Sequence, residues 1–313
     1  MQGRSPYVNP ISGNYPVNHN AYARLNGGEM TIRTILVIGG SGMLGVPVVR
    51  RLLADGYNVR VLTRSPETTR QKLGVDCEIV QGDVEDSPSL ERALAGCQAV
   101  HVNLSGGADA DLERRGAEAT ATAAAKAGLE RITYLSGASV REENIWFADT
   151  RARYFAEAAI RQCGVPYTIF KAHFFMESLL RFIRGPFALQ IGRHPHPYPW
   201  IAAADYARML ARSYSLPEAA EKELFIYGPQ ALTMRQALQT YCRIVRPDLK
   251  FFYFPLWAAG IFARLGRRRE LQAALPFFRY MEMVQAHGDP AEANALLGAP
   301  TTNLEAWCRS LLR

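Results

Sequence analysis

The sequence predicts an α/β protein: a doubly wound parallel sheet followed by a smaller, mostly helical C-terminal lobe. Three observations carry this. Short runs of β-branched and leucine residues alternate with helical patterns from Thr31 to about Phe170, which implies a parallel sheet with helices on both faces. The first run, Thr34-Ile35-Leu36-Val37-Ile38, stops at a cluster of glycines and a helical pattern follows at once. After Lys171 the alternation weakens and helical segments dominate.

Taken in order, residues 1–29 are rich in Asn, Gly, Pro, Ser and Tyr and lack periodicity. They cannot bury enough apolar surface to offset ordering entropy, so a disordered extension is expected there. Met30 stands just before the first strand. The core is expected over 30–170: a first helix over Val46–Gly56, strands over Asn58–Thr63, Cys77–Gln81, Ala99–Leu104, Arg131–Leu135 and Pro166–Phe170, and helices over Leu90–Ala95, Asp109–Ala127 and Asn144–Cys163. Over 171–313 the expected helices are Phe174–Ile183, Ala204–Tyr214, Met234–Val245, Leu256–Leu265, Glu270–Ala286 and Leu304–Leu312, with short strands near Leu189 and over Leu224–Tyr227. No internal repeat is visible.

The chain of 313 residues, 48% of them apolar, is long enough for one large core. The net charge of +7 is spread out apart from Arg267-Arg268-Arg269. It implies solubility and a weak attraction for anionic ligands, with no nucleic acid partner. Cys77, Cys97, Cys163, Cys242 and Cys308 are scattered and form no C-x-x-C pair, which points to reduced thiols and a cytoplasmic setting. No secretory leader pattern is seen, and the longest uncharged apolar run, Phe251–Ala263, is too short to span a bilayer.

The turn reads Gly39-Gly40-Ser41-Gly42-Met43-Leu44-Gly45. Gly39 suits a sharp exit from the strand, Gly42 lets backbone approach a phosphate, and Gly45 lets the helix pack closely. Ser41, Met43 and Leu44 carry the N–H groups of the turn and the first helical residues, where the helix dipole favours a pyrophosphate. An ordinary glycine-rich turn is the alternative; the strand–turn–helix context favours the dinucleotide. The spacing, Gly39-x-x-Gly42-x-x-Gly45, resembles the short-chain dehydrogenase/reductase superfamily and in particular its NmrA-like branch. The resemblance runs from about Thr31 to the C-terminus, most densely to Ser178. It implies a Rossmann core and a second lobe that covers the nicotinamide and shapes the substrate pocket.

The second strand ends Val61-Leu62-Thr63-Arg64-Ser65, without the carboxylate that a NAD site usually places there. A guanidinium attracts a 2′-phosphate through charge-assisted bonds. The expected cofactor is therefore NADP(H), with Arg64 as selector and Ser65 as helper; a solvated loop arginine is the plain alternative. Gly82-Asp83-Val84 resembles the family element that meets the adenine, with Asp83 accepting from its amine and Val84 covering the ring; a turn aspartate is the alternative. Asn103, Leu104 and Ser105, before Gly106-Gly107, are expected along the dinucleotide.

The superfamily's Y-x-x-x-K is missing from the helix after the fifth strand. Asp149 stands at the tyrosine position and Arg153 at the lysine, and Arg153 with Glu157 resembles the K-x-x-x-E of the NmrA-like branch. Arg153 can bond ribose hydroxyls but cannot donate a proton. Tyr154 lies on another helical face. A literal Tyr167-x-x-x-Lys171 falls on the sixth strand, the wrong element. Ser136 occupies the position of the active-site serine, or else caps a turn. His173, at the strand exit, either donates a proton to the acceptor or serves packing. Phe174-Phe175-Met176-Glu177 resembles a pocket-lining stretch, and Asp205 looks structural. His194-Pro195-His196-Pro197 is read as a stiff loop, and no metal is expected. Phe251–Arg269 is read as a buried helix of the second lobe, with a membrane surface or a partner helix as the alternative.

Together these readings imply an NADP(H)-dependent oxidoreductase acting on a small carbonyl-, quinone- or enone-type acceptor, with Ser136 or His173 polarising it. The alternative is a non-catalytic NADP(H) sensor acting through protein partners.

Overall fold

The computed structural model describes residues 32–105, 107, 109–285 and 287–312. The extension expected over 1–29 and the glycine at position 106 lie outside the described residues. Six strands of the core follow the expected order: β1 (Thr34–Ile38), β2 (Asn58–Thr63), β3 (Glu78–Gln81), β4 (Ala99–Val102), β5 (Arg131–Gly137) and β6 (Tyr167–Ala172). They are joined through α1 (Gly45–Ala54), α2 (Pro66–Leu73), α3 (Ser87–Leu94), α4 (Leu112–Ala127) and α5 (Ala148–Gln162). β1 and β4 are buried along almost their whole length, as strands covered on both faces must be. α1 buries Val48, Val49 and Leu52 against the sheet.

A seventh strand, β10 (Lys222–Phe225), pairs with β6. The parallel sheet runs β10-β6-β5-β4-β1-β2-β3. The chain fills one side of β1 with β2 and β3, then crosses to β4, β5 and β6. The order therefore reverses between β1 and β4, where an open α/β sheet leaves a crevice at its carboxyl edge.

Beyond residue 171 the chain builds both a second lobe and part of the core. The lobe contains β7 (Ile183–Arg184), β8 (Phe187–Ile191), β9 (Tyr198–Trp200), β11 (Gln230–Leu232), α7 (Met234–Ile244), β12 (Lys250–Phe254), α8 (Leu256–Leu265), α9 (Arg269–Met283) and α11 (Leu304–Ser310). Its small sheets are β12-β8-β7 and β11-β9, and Met176, Leu179, Trp200, Leu238 and Trp307 form its own apolar cluster. α6 (Ala203–Ser213) and α10 (Ala291–Leu297) instead join the core: Tyr206, Met209, Leu210, Ala293 and Leu297 pack with β1 and α1 residues.

Several expected elements shift. α4 begins at Leu112, because Asp109 turns back to accept from the Asp111 N–H at 3.1 Å. α5 begins at Ala148, after a 3₁₀ turn over Glu142–Asn144. The segment expected as a helix over Phe174–Ile183 is 3₁₀ over Met176–Phe182. α8 exists, but the expectation that it is buried fails. Only Ala259 and Ala263 are covered, while Trp257 is 72% and Leu265 81% exposed.

A polar chain runs under the sheet. His101 on β4 bonds Thr133 at 2.9 Å and accepts from or donates to the Tyr206 hydroxyl at 3.1 Å, and Thr133 meets Tyr214 at 2.7 Å. Full burial pushes the His101 pKa down to about 3, so the ring is neutral.

Candidate cofactor and acceptor site

The glycine turn shows why three of its positions lack side chains. Gly39 has φ +80°, and a Cβ there would sit 2.0 Å from the Asn103 carbonyl oxygen. A Cβ on Gly45 would lie 2.1 Å from the Gly39 oxygen. These two clashes fix β1, the end of β4 and the start of α1 against one another. Gly42 is exposed, donates its N–H to the Gly39 oxygen at 3.0 Å, and would meet nothing closer than 3.1 Å. Its missing side chain keeps open a surface that a ligand can approach. Ser41 is half-buried, Met43 is exposed, and Leu44 caps α1 without any side-chain acceptor for the helix N–H groups. An anion there would meet a bare positive helix end.

Arg64 follows β2 with its side chain 76% exposed, and its Nη1 lies 3.8 Å from Asp83 Oδ2. Ser65 opens α2, and its N–H donates to Thr63 Oγ1 at 3.2 Å. The other Asp83 oxygen accepts from the Glu85 N–H at 3.1 Å. Val84 is buried and half-buried Leu104 meets it across Gly116 of α4; a Cβ on Gly116 would come within 2.6 Å of Leu104 and 3.0 Å of Val84. Asn103 donates its N–H to Ile38 at 3.1 Å, and Ser105 is exposed. The structure thus brings Arg64 and Asp83 together at the carboxyl edge, with the Val84–Leu104 wall behind Asp83.

Arg153 reaches the end of β5. Its Nη1 would be 3.7 Å from a Cβ on Gly137, and its Nε donates to Glu113 Oε1 at 3.1 Å. The same oxygen accepts from Tyr134 at 2.8 Å. The buried Glu113 charge raises the Arg153 pKa further and fixes the guanidinium. Glu113 was not singled out from sequence. Its only signal is a carboxylate on the buried face of an alanine-rich helix.

Ser136, the penultimate residue of β5, is buried. Its hydroxyl donates to Glu157 at 2.5 Å. Glu157 also accepts from Lys171 at 3.1 Å and Arg161 at 3.2 Å, and both cations bond Glu223 on β10. The Glu157 of the K-x-x-x-E-like element and the lysine of the displaced Tyr-x-x-x-Lys therefore form one buried ionic cluster. Two residues beyond β5, Ser139 bonds Tyr280 of α9. Tyr280 stacks on Phe147, centroids 4.4 Å apart. Sequence reading missed both, and for Tyr280 no local pattern existed.

His173 follows β6 and stacks on Tyr198, centroids 4.8 Å apart; Tyr198 in turn donates to the Met281 carbonyl at 3.1 Å. Both His173 ring nitrogens are shielded and have no hydrogen-bond partner among the described residues. Burial pushes its pKa down to about 4, so at neutral pH it presents one N–H and one lone pair, not an imidazolium. A neutral, stacked ring fits the packing alternative and leaves hydrogen bonding open to it. Of the Phe174–Glu177 stretch, Phe174 joins the Tyr198 and Trp200 rings. Phe175 and Met176 are buried in the packing, and Glu177 accepts from the Ala203 N–H at the start of α6 and from Trp307. Asp205 accepts from the Thr302 N–H at 2.9 Å, a structural bond. His194 bonds the Ile191 carbonyl and Tyr198.

A glycine cradle at the reversal point of a doubly wound sheet defines a Rossmann-type dinucleotide-binding protein. Residues 31–286 match the NmrA-like family, and the chain belongs to it. Among curated relatives, a (4-alkanoyl-5-oxo-2,5-dihydrofuran-3-yl)methyl phosphate reductase of Streptomyces griseus is 40% identical over 108 residues, 34% of this chain and 36% of that protein. An NmrA-like family domain-containing oxidoreductase of Aspergillus versicolor is 43% identical over 74 residues, 23% of this chain and 21% of that protein. The chain spans about a third or less of the length of these relatives. Among solved structures, the NADPH-dependent quinone oxidoreductase of Escherichia coli superposes with TM-score 0.71 at 20% identity, over 89% of this chain and 100% of that one. The Citrobacter sp. triphenylmethane reductase complexed with NADP(H) gives 0.71 at 18%, over 90% and 100%. At such identities the likeness is one of fold.

Proposed function

We propose that the protein binds NADP(H) and reduces a small carbonyl-, quinone- or enone-type acceptor. The observation that carries this is a pair of guanidiniums flanking one glycine cradle: Arg64 after β2, exposed and paired with Asp83 only at 3.8 Å, and Arg153 beside β5, held by Glu113. In this reading a phosphorylated dinucleotide lies along the sheet edge from β2 to β5. The turn from Gly39 to Leu44 would hold the pyrophosphate, Arg64 and Ser65 the 2′-phosphate, Asp83 and Val84 the adenine, and Arg153 the ribose of the nicotinamide. Asn103, Leu104 and Ser105 would line the path between.

When bound, NADPH supplies a hydride. The residues of this chain do the rest. His173, neutral and without a hydrogen-bond partner among the described residues, is the candidate donor to the acceptor oxygen, a contact that requires its shielded nitrogens to be uncovered as the acceptor enters. The Ser139–Tyr280 hydroxyl pair, beyond the end of β5, is the candidate proton source, replenished by solvent. The reductase of Streptomyces griseus among the relatives, and the quinone oxidoreductase among proteins of like fold, support this reading.

The test is calorimetric titration with NADPH, NADP+ and NADH, followed by NADPH oxidation across quinones, enones and carbonyls. Selective binding of the phosphorylated cofactors, with acceptor-dependent oxidation, is the expected result. Equal affinity for NADH would remove the Arg64 argument, and cofactor binding without oxidation of NADPH by any acceptor would sink the catalytic reading.

A further inference from the structure

We infer that the α8–α9 hairpin is a docking face for an anionic lipid bilayer. An ordinary surface helix turns its apolar side inward. α8 does the reverse. Trp257, Ile261 and Leu265 recur every four residues on one side and are 72%, 53% and 81% exposed. Phe262 beside them is 49% exposed, while only Ala259 and Ala263 of the helix are fully buried. β12, which leads into α8, is the edge of its sheet, and it adds exposed Phe252 and Tyr253 to the same region of chain.

Charge selects the occupant. Arg264, Arg267, Arg268 and Arg269 are all exposed and close the hairpin turn, and Glu270 is the one acid between Lys250 and Arg279. Arg268 lies over the Phe262 ring at 5.7 Å. A protein groove that covered Trp257 and Leu265 would have to desolvate these guanidiniums or supply a matching carboxylate for each. A bilayer with anionic headgroups accepts both sets: the aromatic and aliphatic tips enter the acyl boundary and the arginines stay among phosphates. α8 is too short to do more, and no helix among the described residues is long and apolar enough to cross a membrane. The inference does not depend on the reaction proposed above.

The test is flotation of the full chain with phosphatidylcholine vesicles, with and without phosphatidylserine, read beside tryptophan fluorescence. Binding is expected only to the anionic vesicles, with a blue shift that disappears in Trp257→Phe, and weakening with salt. Arg267→Gln/Arg268→Gln/Arg269→Gln should lower partitioning about a hundredfold, each basic side chain near such a surface tightening binding about fivefold. Trp257→Ser/Leu265→Ser should abolish it. All these positions are exposed, so circular dichroism and the thermal midpoint should not move. Failure of the wild-type chain to float with anionic vesicles overturns the inference, as does equal flotation of all variants. So does a lipid-free dimer that Trp257→Ser/Leu265→Ser dissolves, because the face would then belong to a second copy of the chain.

Discussion

Ser136 donates its hydroxyl to Glu157 at 2.5 Å, on the carboxylate that also takes the Lys171 ammonium at 3.1 Å. The two charged residues are almost fully buried. The serine that the family pattern places at the acceptor is therefore tied into a buried ionic cluster, together with the lysine of the displaced Tyr-x-x-x-Lys.

Glu157→Gln is expected to destabilise the protein by about 3 kcal/mol, since it leaves a buried lysine with one partner instead of two. Urea unfolding at neutral pH measures this. A change below about 0.5 kcal/mol would mean that Glu223 alone satisfies Lys171 and Arg161.

Arg64→Ala is expected to weaken NADPH about ten- to a hundredfold and leave NADH unchanged, the range for a charge-assisted contact. Isothermal titration separates the two cofactors. Parallel loss of both would show that Arg64 acts through Asp83 and not on the phosphate.

Gly39→Ala combines positive φ with a clash against Asn103, whereas Gly128→Ala has φ +67° and open space around it. The second substitution is expected to cost about 1–2 kcal/mol from backbone strain alone. The first should cost at least about 3 kcal/mol and remove cofactor binding. Equal unfolding midpoints for the two variants would contradict the packing of the turn against β4.

Acid should destabilise the fold through two histidines. Burial lowers His101 to about 3 and His173 to about 4, both below the unfolded value. Below about pH 6.5 the unfolded chain therefore binds protons that the native state refuses, and stability falls until the pH reaches the folded values. From pH 7.5 to 5 each histidine should withdraw roughly 2 kcal/mol. His173→Phe should remove its share of that slope, which urea titrations at the two pH values would reveal; an unchanged slope would place His173 in contact with water.

The parallel core was legible because its signals are local. A β-branched run, a glycine turn and an alternation of periods each fit within a dozen residues, and Gly39, Gly45 and Arg64 were singled out from them, whereas Asp83 and Arg153 were singled out by the family resemblance. What was not legible depends on contacts across the chain. Ser139 and Tyr280 are 141 residues apart, and nothing beside Tyr280 marks it. The outward face of α8 was misread because a run of apolar residues does not say which side of it meets the protein. Glu113 became visible only when α4 and α5 packed.

β10 gives the architecture a restriction on how it can diversify. Because this strand closes the sheet beside β6, the stretch between them is an excursion that must return to its starting layer, and Thr168 and Arg131 depend on that return through the Ala219 and Ser213 carbonyls. A chimera joined at residue 171 would leave the host strand to find a foreign neighbour in register. Changes to the second lobe are thus more readily made in loops within the excursion, or at single residues of α9, than by exchanging whole halves between family members.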